Sequence, residues 1–222
     1  MTLEDMIRRF RVAARDTVEP FLFPTEDVTD WLNDAQDQAC VRGRLLREDA
    51  LPEMCRIVLE AGKHTYKLHQ KLYEISHLRV LPQNGERSRH LLIKTREWLD
   101  AEMPDWRDSN RPAMFAIQDD ISLRVVGKVE DGDALALECY RLPLKPMEAD
   151  NSKPEIHIAH HDHLIDWALH RAFSVPDAET FDPNRAALAE QAFTRYFGPS
   201  PDADLRRSTR HDEVQTNKVF WV

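Results

Sequence analysis

"PEIHIAHHDHLIDWALHRAF", residues 154–173, holds five of the chain's ten histidines, at positions 157, 160, 161, 163 and 170. As a metal centre the segment would make the chain an enzyme. As a helix it belongs to a packed bundle. On a helix His157 and His161 stand four apart, and His160 and His163 three apart, so each pair can chelate an ion. A hydrolytic zinc site needs a glutamate inside H-E-x-x-H. Here Ile158 and Ala159 fill the two places between His157 and His160. Asp162 and Asp166 offer oxygens, but nothing in their spacing directs them at those rings. The helical reading accounts for more residues. His161, Ile165, Ala168 and Ala172 recur as a stripe with Leu164 and Trp167 beside it, and most of the other histidines fall off that stripe. Pro154 and Glu155 suit a helix entrance, which leaves His157, His160 and His163 near the first turn. The helix is preferred; a metal-dependent enzyme using the 157–163 cluster is the alternative.

Outward from this helix, three more are expected. Thr2 with Asp5 three positions on makes an approximate capping box, and Leu3, Met6, Ile7, Phe10, Ala13 and Ala14 follow as one apolar stripe. This helix ends before "EPFLFP", where Pro20 and Pro24 bracket an extended loop. A second opens at Thr25 with Glu26 and Asp27 at the positive end of its dipole, and frays near Gly43. A fourth, "DPNRAALAEQAFTRYFG", has Asp182 as N-cap, Pro183 at its first position and Gly198 past its last turn.

Between residues 53 and 148 the pattern changes to alternation. "CRIVLEAGKHTYKL" reads as a hairpin around Ala61-Gly62-Lys63, and "VVGKVEDGDALALECYRL" as another turning at Asp131-Gly132. "YEISHLRVL", "PAMFAI" and "ISLRVV" are further strands, and Thr95 caps a short helix stopped by Pro104. The class is therefore α+β: a four-helix core bundle from 1–50 and 155–198, an inserted β-rich subdomain at 53–148, and an extended C-terminal arm at 199–222.

Composition narrows the function. A formal charge of −9 argues against a surface built to neutralise phosphates, so a nucleic-acid-binding or regulatory module is only an alternative. An acidic surface also repels DNA, which suits a conduit through which DNA slides. Cys40, Cys55 and Cys139 are odd in number and scattered, the pattern of buried free thiols in a reducing cytoplasm. No stretch approaches membrane-spanning length, and "MTLEDMIRRF" lacks the apolar run of a signal peptide, so no membrane association is expected. Six glycines form neither GxGxxG nor a P-loop, and no G-x-S-x-G elbow occurs, so no cofactor and no catalytic residue is assigned. Asp119-Asp120 and Glu130-Asp131 read as turns. The two tryptophans of "WLDAEMPDW" read as packing, because few basic residues flank them to make a nucleic-acid platform.

The order of pieces carries a resemblance. An amphipathic helix leads through "DTVEPFLFPTEDV" into "WLNDAQDQA"; a β-rich middle follows with "TREWLDAEMPDW" and a "YRLP" strand end; "HLIDWALHRAF" then precedes "AFTRYFG". Over roughly residues 2–198 this resembles the head–tail adaptor (connector, or neck) proteins of tailed bacteriophages. The resemblance implies a structural, non-enzymatic virion protein assembled in the host cytoplasm. It would be a homo-oligomer, commonly a dodecameric ring, that joins the portal protein above to tail or nozzle proteins below. DNA would pass through the channel without sequence-specific binding. It also implies that the C-terminal segment grips the portal, which here means Val219, Phe220, Trp221 and Val222 with Arg206, Arg207 and Arg210.

The arm's chemistry is compatible with that role. Burying Val219, Phe220, Trp221 and Val222 gives roughly 6–12 kcal/mol at about 1.5–3 per side chain. Fixing the backbone costs about 1–2 kcal/mol per residue, so ordering several residues consumes most of that gain. One arm binds weakly, and many arms on a preassembled ring bind tightly through effective concentration.

Overall fold

The computed structural model describes residues 1–176 and 179–201 and is a mixed helix-and-strand structure, as expected. Its helices are α1 (Leu3–Ala14), α2 (Thr25–Gly43), α3 (Pro52–Cys55), α4 (Arg96–Glu102), α5 (His161–Phe173) and α6 (Pro183–Phe197). Its strands are β1 (Arg47–Glu48), β2 (Arg56–Val58), β3 (Thr65–Lys67), β4 (Leu72–Leu81), β5 (Arg89–His90), β6 (Leu92–Ile93), β7 (Phe115–Gln118), β8 (Ser122–Val126) and β9 (Ala134–Arg141). The described residues form two compact units, Met1–Arg47 with Arg141–Pro201, and Glu48–Tyr140.

The first unit is helical. Thr2 and Asp5 exchange both hydrogen bonds of a capping box at the start of α1, each at 3.2 Å. Asp182 Oδ1 accepts from the backbone N–H of Asn184 at 3.1 Å and of Arg185 at 3.0 Å, with Pro183 opening α6. Helix α5 packs against α1, α2 and α6. Leu3, Met6 and Phe10 of α1, Leu32 and Ala39 of α2, Leu164 and Ala168 of α5, and Phe193 of α6 share one apolar cluster. The return segment is stitched to these helices by its backbone. Leu3 and Glu4 donate to the carbonyls of Ser152 and Asp150, which satisfies N–H groups that α1 cannot pair internally. The Asn33 amide donates to the Met147 carbonyl at 3.0 Å and accepts from the Met147 N–H at 2.8 Å.

In the expected third helix the α-helical ladder begins at His161, with a 3₁₀ turn over Ile158–His160 before it. The entrance at Pro154 is therefore moved. The carbonyl that a helix from Pro154 would use is taken elsewhere: Ile156 O lies 3.0 Å from His161 Nε2, and the His160 N–H bonds to the His157 carbonyl at 2.9 Å.

The second unit is two small sheets. One has the order β1-β9-β4-β5 with β2 also on β9, and the other β3-β8-β7-β6. Strands β5 and β6 are separated by Leu91 alone. The Leu91 N–H bonds to Leu78 and the Leu92 N–H to Met114, so one extended run leaves the first sheet and enters the second. The two expected hairpins are corrected. Gly62 and Gly132 sit in turns at φ 77° and 81°, as the sequence requires. However, β2 pairs with β9 while β3 pairs with β8, and β8 and β9 lie in different sheets. Each turn passes the chain between sheets. Asp119 and Asp120 do lie in the turn of a true hairpin, between β7 and β8. Trp106 packs with Leu99, Ile117 and Val126, and its indole N–H donates to Asp100 at 2.9 Å.

Candidate functional site

Each ring of the histidine cluster lies against a protein partner. His157 caps the 3₁₀ turn, its Nδ1 accepting from the Ala159 N–H at 3.2 Å. His160 Nδ1 is 3.2 Å from the Tyr196 hydroxyl. His163 stacks on the Tyr196 ring with centroids 3.6 Å apart, and its Nδ1 is 3.3 Å from Asp166. His170 Nδ1 is 3.1 Å from the Ala186 carbonyl. His161 is buried between the Met1 ammonium, 3.3 Å from Nδ1, and the Ile156 carbonyl. That pairing selects the neutral tautomer, with Nδ1 accepting and Nε2–H donating. Burial lowers the His160 pKa first, and His157, His161 and His163 lower it further. Burial likewise lowers that of His161 and raises that of Asp166. Among the described residues, no three His, Cys, Asp or Glu side chains converge to hold a metal ion. His160 and His163 join the start of α5 to Tyr196 at the end of α6, while His161 ties it to Met1 at the chain's start.

A second construction in the same unit was not legible as a site. Arg11 and Asp16, 7% and 2% exposed, form an ion pair with Arg11 Nη1 2.8 Å from Asp16 Oδ2. Both charged groups also bond the loop after α1 and the start of α2. Asp16 accepts from the backbone N–H of Leu22 at 2.8 Å and of Phe23 at 3.2 Å. Arg11 donates to the Phe23 carbonyl at 3.1 Å and to Thr25 Oγ1 at 2.8 Å, and its guanidinium lies 3.6 Å from the Phe21 ring centroid. A buried ion pair is tolerated where additional hydrogen bonds satisfy its members, as these four do. Phe23 then turns inward, edge-on to Phe10, Trp31 and Phe173 at 5.6–5.8 Å. Its neighbours turn outward, leaving Val18 77% and Leu22 59% exposed. The loop holds an apolar tip in water on a fixed base. Arg11 carries no periodic signal, and the only hint was an aspartate at the start of a proline-bracketed loop.

The residues assigned to portal contact, Val219, Phe220, Trp221, Val222, Arg206, Arg207 and Arg210, lie outside the described residues. Helix α6, which leads toward them, ends at Gly198 with φ 93°. A protein-family profile described as SU10 adaptor protein matches residues 1–215, from the first helix through both units. The chain belongs to that family. It is a family of phage head–tail adaptors. The match ends before residues 216–222, so Val219 to Val222 fall beyond it. No curated protein matches the chain. No helix among the described residues is long and apolar enough to cross a membrane. Family membership makes the chain a phage structural protein that associates with other virion proteins.

Proposed function

We propose that this chain assembles as a ring, commonly of twelve copies, that joins the phage portal to tail or nozzle proteins around the DNA channel. The family match over residues 1–215 carries the reading. Helices α1, α2, α5 and α6 act as a four-helix core bundle packed side by side with neighbouring copies. The β-rich subdomain is an insertion in that helical frame, and the arm from 199 to 222 docks on the portal through Val219, Phe220, Trp221 and Val222, with Arg206, Arg207 and Arg210 facing acidic groups. The protein is not an enzyme. Two features support assembly over chemistry. The histidines with the best metal spacing are committed to internal partners. A loop with Val18 and Leu22 exposed stands on a buried, hydrogen-bonded base, which suits protein contact. The net charge of −9 suits a channel along which DNA slides without being held. Co-sedimentation of the purified full chain with portal protein tests the reading. Stoichiometric co-migration is expected, and separation of the two at micromolar concentrations would contradict it.

A further inference from the structure

Two of the three cysteines meet in the core of the second unit. Cys55 is the last residue of α3, and the next residue, Arg56, pairs with Ala136 of β9 in an antiparallel register. Continued by one residue, that register sets Cys55 opposite Leu137. Leu137 and Cys139 are both buried on the inward face of β9. Cys55 and Cys139 are therefore diagonal neighbours on one buried face, Cys139 two positions beyond the residue opposite Cys55. The Cys139 thiol lies close enough to act on the Cys55 thiol and favour its ionised form. Both are buried thiols, with Cys139 fully enclosed and Cys55 5% exposed. Cys40 lies in α2 of the other unit, and burial pushes its thiol up to about 12.

We propose that Cys55 and Cys139 are a latent disulfide, open while the chain folds in a reducing compartment and closed by a peroxide after it leaves. The inference is independent of the ring reading. The chemistry needs an oxidant small enough to enter a packed core, and hydrogen peroxide meets that requirement. The Cys55 thiolate, the less buried sulfur, attacks one peroxide oxygen and becomes a sulfenic acid, and the O–O bond breaks to release hydroxide. The Cys139 sulfur then attacks the Cys55 sulfur and expels the sulfenic oxygen as water, which takes up the thiol proton. In sum, two thiols and one hydrogen peroxide give one disulfide and two waters. Burial raises the Cys55 pKa, and the neighbouring Cys139 thiol acts the other way. The thiolate is scarce at neutral pH, so closure is slow and accelerates as pH rises. Once made, the bond ties the α3–β2 junction to β9 across 84 residues of chain, and restricting so long a loop in the unfolded chain favours the folded unit.

The test is titration of the purified full-length chain with hydrogen peroxide, followed by non-reducing peptide mass spectrometry. Circular dichroism verifies that the chain stays folded throughout. The expected result is a peptide pair joined through Cys55 and Cys139, lighter by two hydrogens, reversed by dithiothreitol, and formed faster at pH 8.5 than at pH 7. Cys40→Ser should leave the bond intact, and Cys55→Ser or Cys139→Ser should abolish it. The linked peptide identifies the bond in the unaltered chain even if a serine variant folds poorly. Folded protein with both thiols unreacted under excess peroxide, with sulfinic acid at Cys55 and no link, or with a bridge through Cys40, overturns the proposal.

Discussion

Arg11 and Asp16 face each other at 2.8 Å inside the first unit, five residues apart, and together hold the backbone of Leu22 and Phe23. The pair converts a helix end into a fixed loop, since each charge is used as a hydrogen-bonding hub for chain that has no regular structure of its own. Removing one partner strands the other charge in the core.

Asp16→Ala should therefore cost about 3–5 kcal/mol, the range for breaking a buried pair from one side. Urea unfolding of the purified chain measures it. A loss below about 1 kcal/mol would mean that water reaches Arg11 and the loop is not held as described.

Gly127 stands at φ 106°, where an added Cβ would come 2.7 Å from the Arg111 carbonyl oxygen and 2.9 Å from Ala113 Cα. Gly127→Ala should lower stability by at least about 1–3 kcal/mol from backbone strain alone. The displaced atoms are backbone and cannot swing aside, so thermal unfolding should show the loss clearly.

Arg15 ends α1 in the left-handed conformation, at φ 63°, with its side chain exposed. Glycine adopts that conformation without the Cβ penalty, so Arg15→Gly should stabilise the chain by about 0.5–1 kcal/mol. The same unfolding assay, read at constant pH, checks the sign.

Acidification should weaken the first unit. His160 and His161 have lowered pKa values because burial disfavours their charged forms, so the unfolded chain binds protons first. Their contribution is full above the unfolded value of about 6.5 and is lost as pH falls through that value toward the folded ones. His160 faces His157, His161, His163 and Tyr196, and His161 faces the Met1 ammonium and Asp162. Asp166, with its pKa raised by burial, acts in the opposite direction as pH falls toward its own titration. The urea midpoint should fall between pH 7.5 and 5.5, and His160→Gln should reduce the slope. A midpoint that holds or rises across that interval would contradict the assigned burial.

The sequence made the helix ends legible because capping is local: Thr2 with Asp5, and Asp182 with Pro183, state their roles within four residues. The strands between 53 and 148 were legible as strands, but their partners were not. Gly62 and Gly132 announce a reversal of direction, and nothing nearby says whether the chain returns to the same sheet or crosses to another. The start of α5 was misplaced because the Ile156 carbonyl, which a helix from Pro154 would bond to the His160 N–H, faces the His161 ring, and the His160 N–H bonds to His157 in a 3₁₀ turn. Arg11 and Asp16 were missed for a related reason. A buried polar pair has no period, and its partners are known only once the loop is folded.

Deleting Val219–Val222 should leave the unfolding midpoint unchanged and abolish portal binding, because the proposed hook adds contacts only in the assembly. Ultracentrifugation of the truncated chain with portal protein reads the binding, and urea unfolding reads the fold. Undiminished binding by residues 1–218 would remove the hook from the account.

The central claim is a closed ring seated on a portal, and negative-stain imaging of the full-length chain, alone and mixed with portal protein, addresses it most directly. The account predicts closed annular particles that stack coaxially on portal rings. Monomers, or open filaments that leave the portal rings bare, would contradict it.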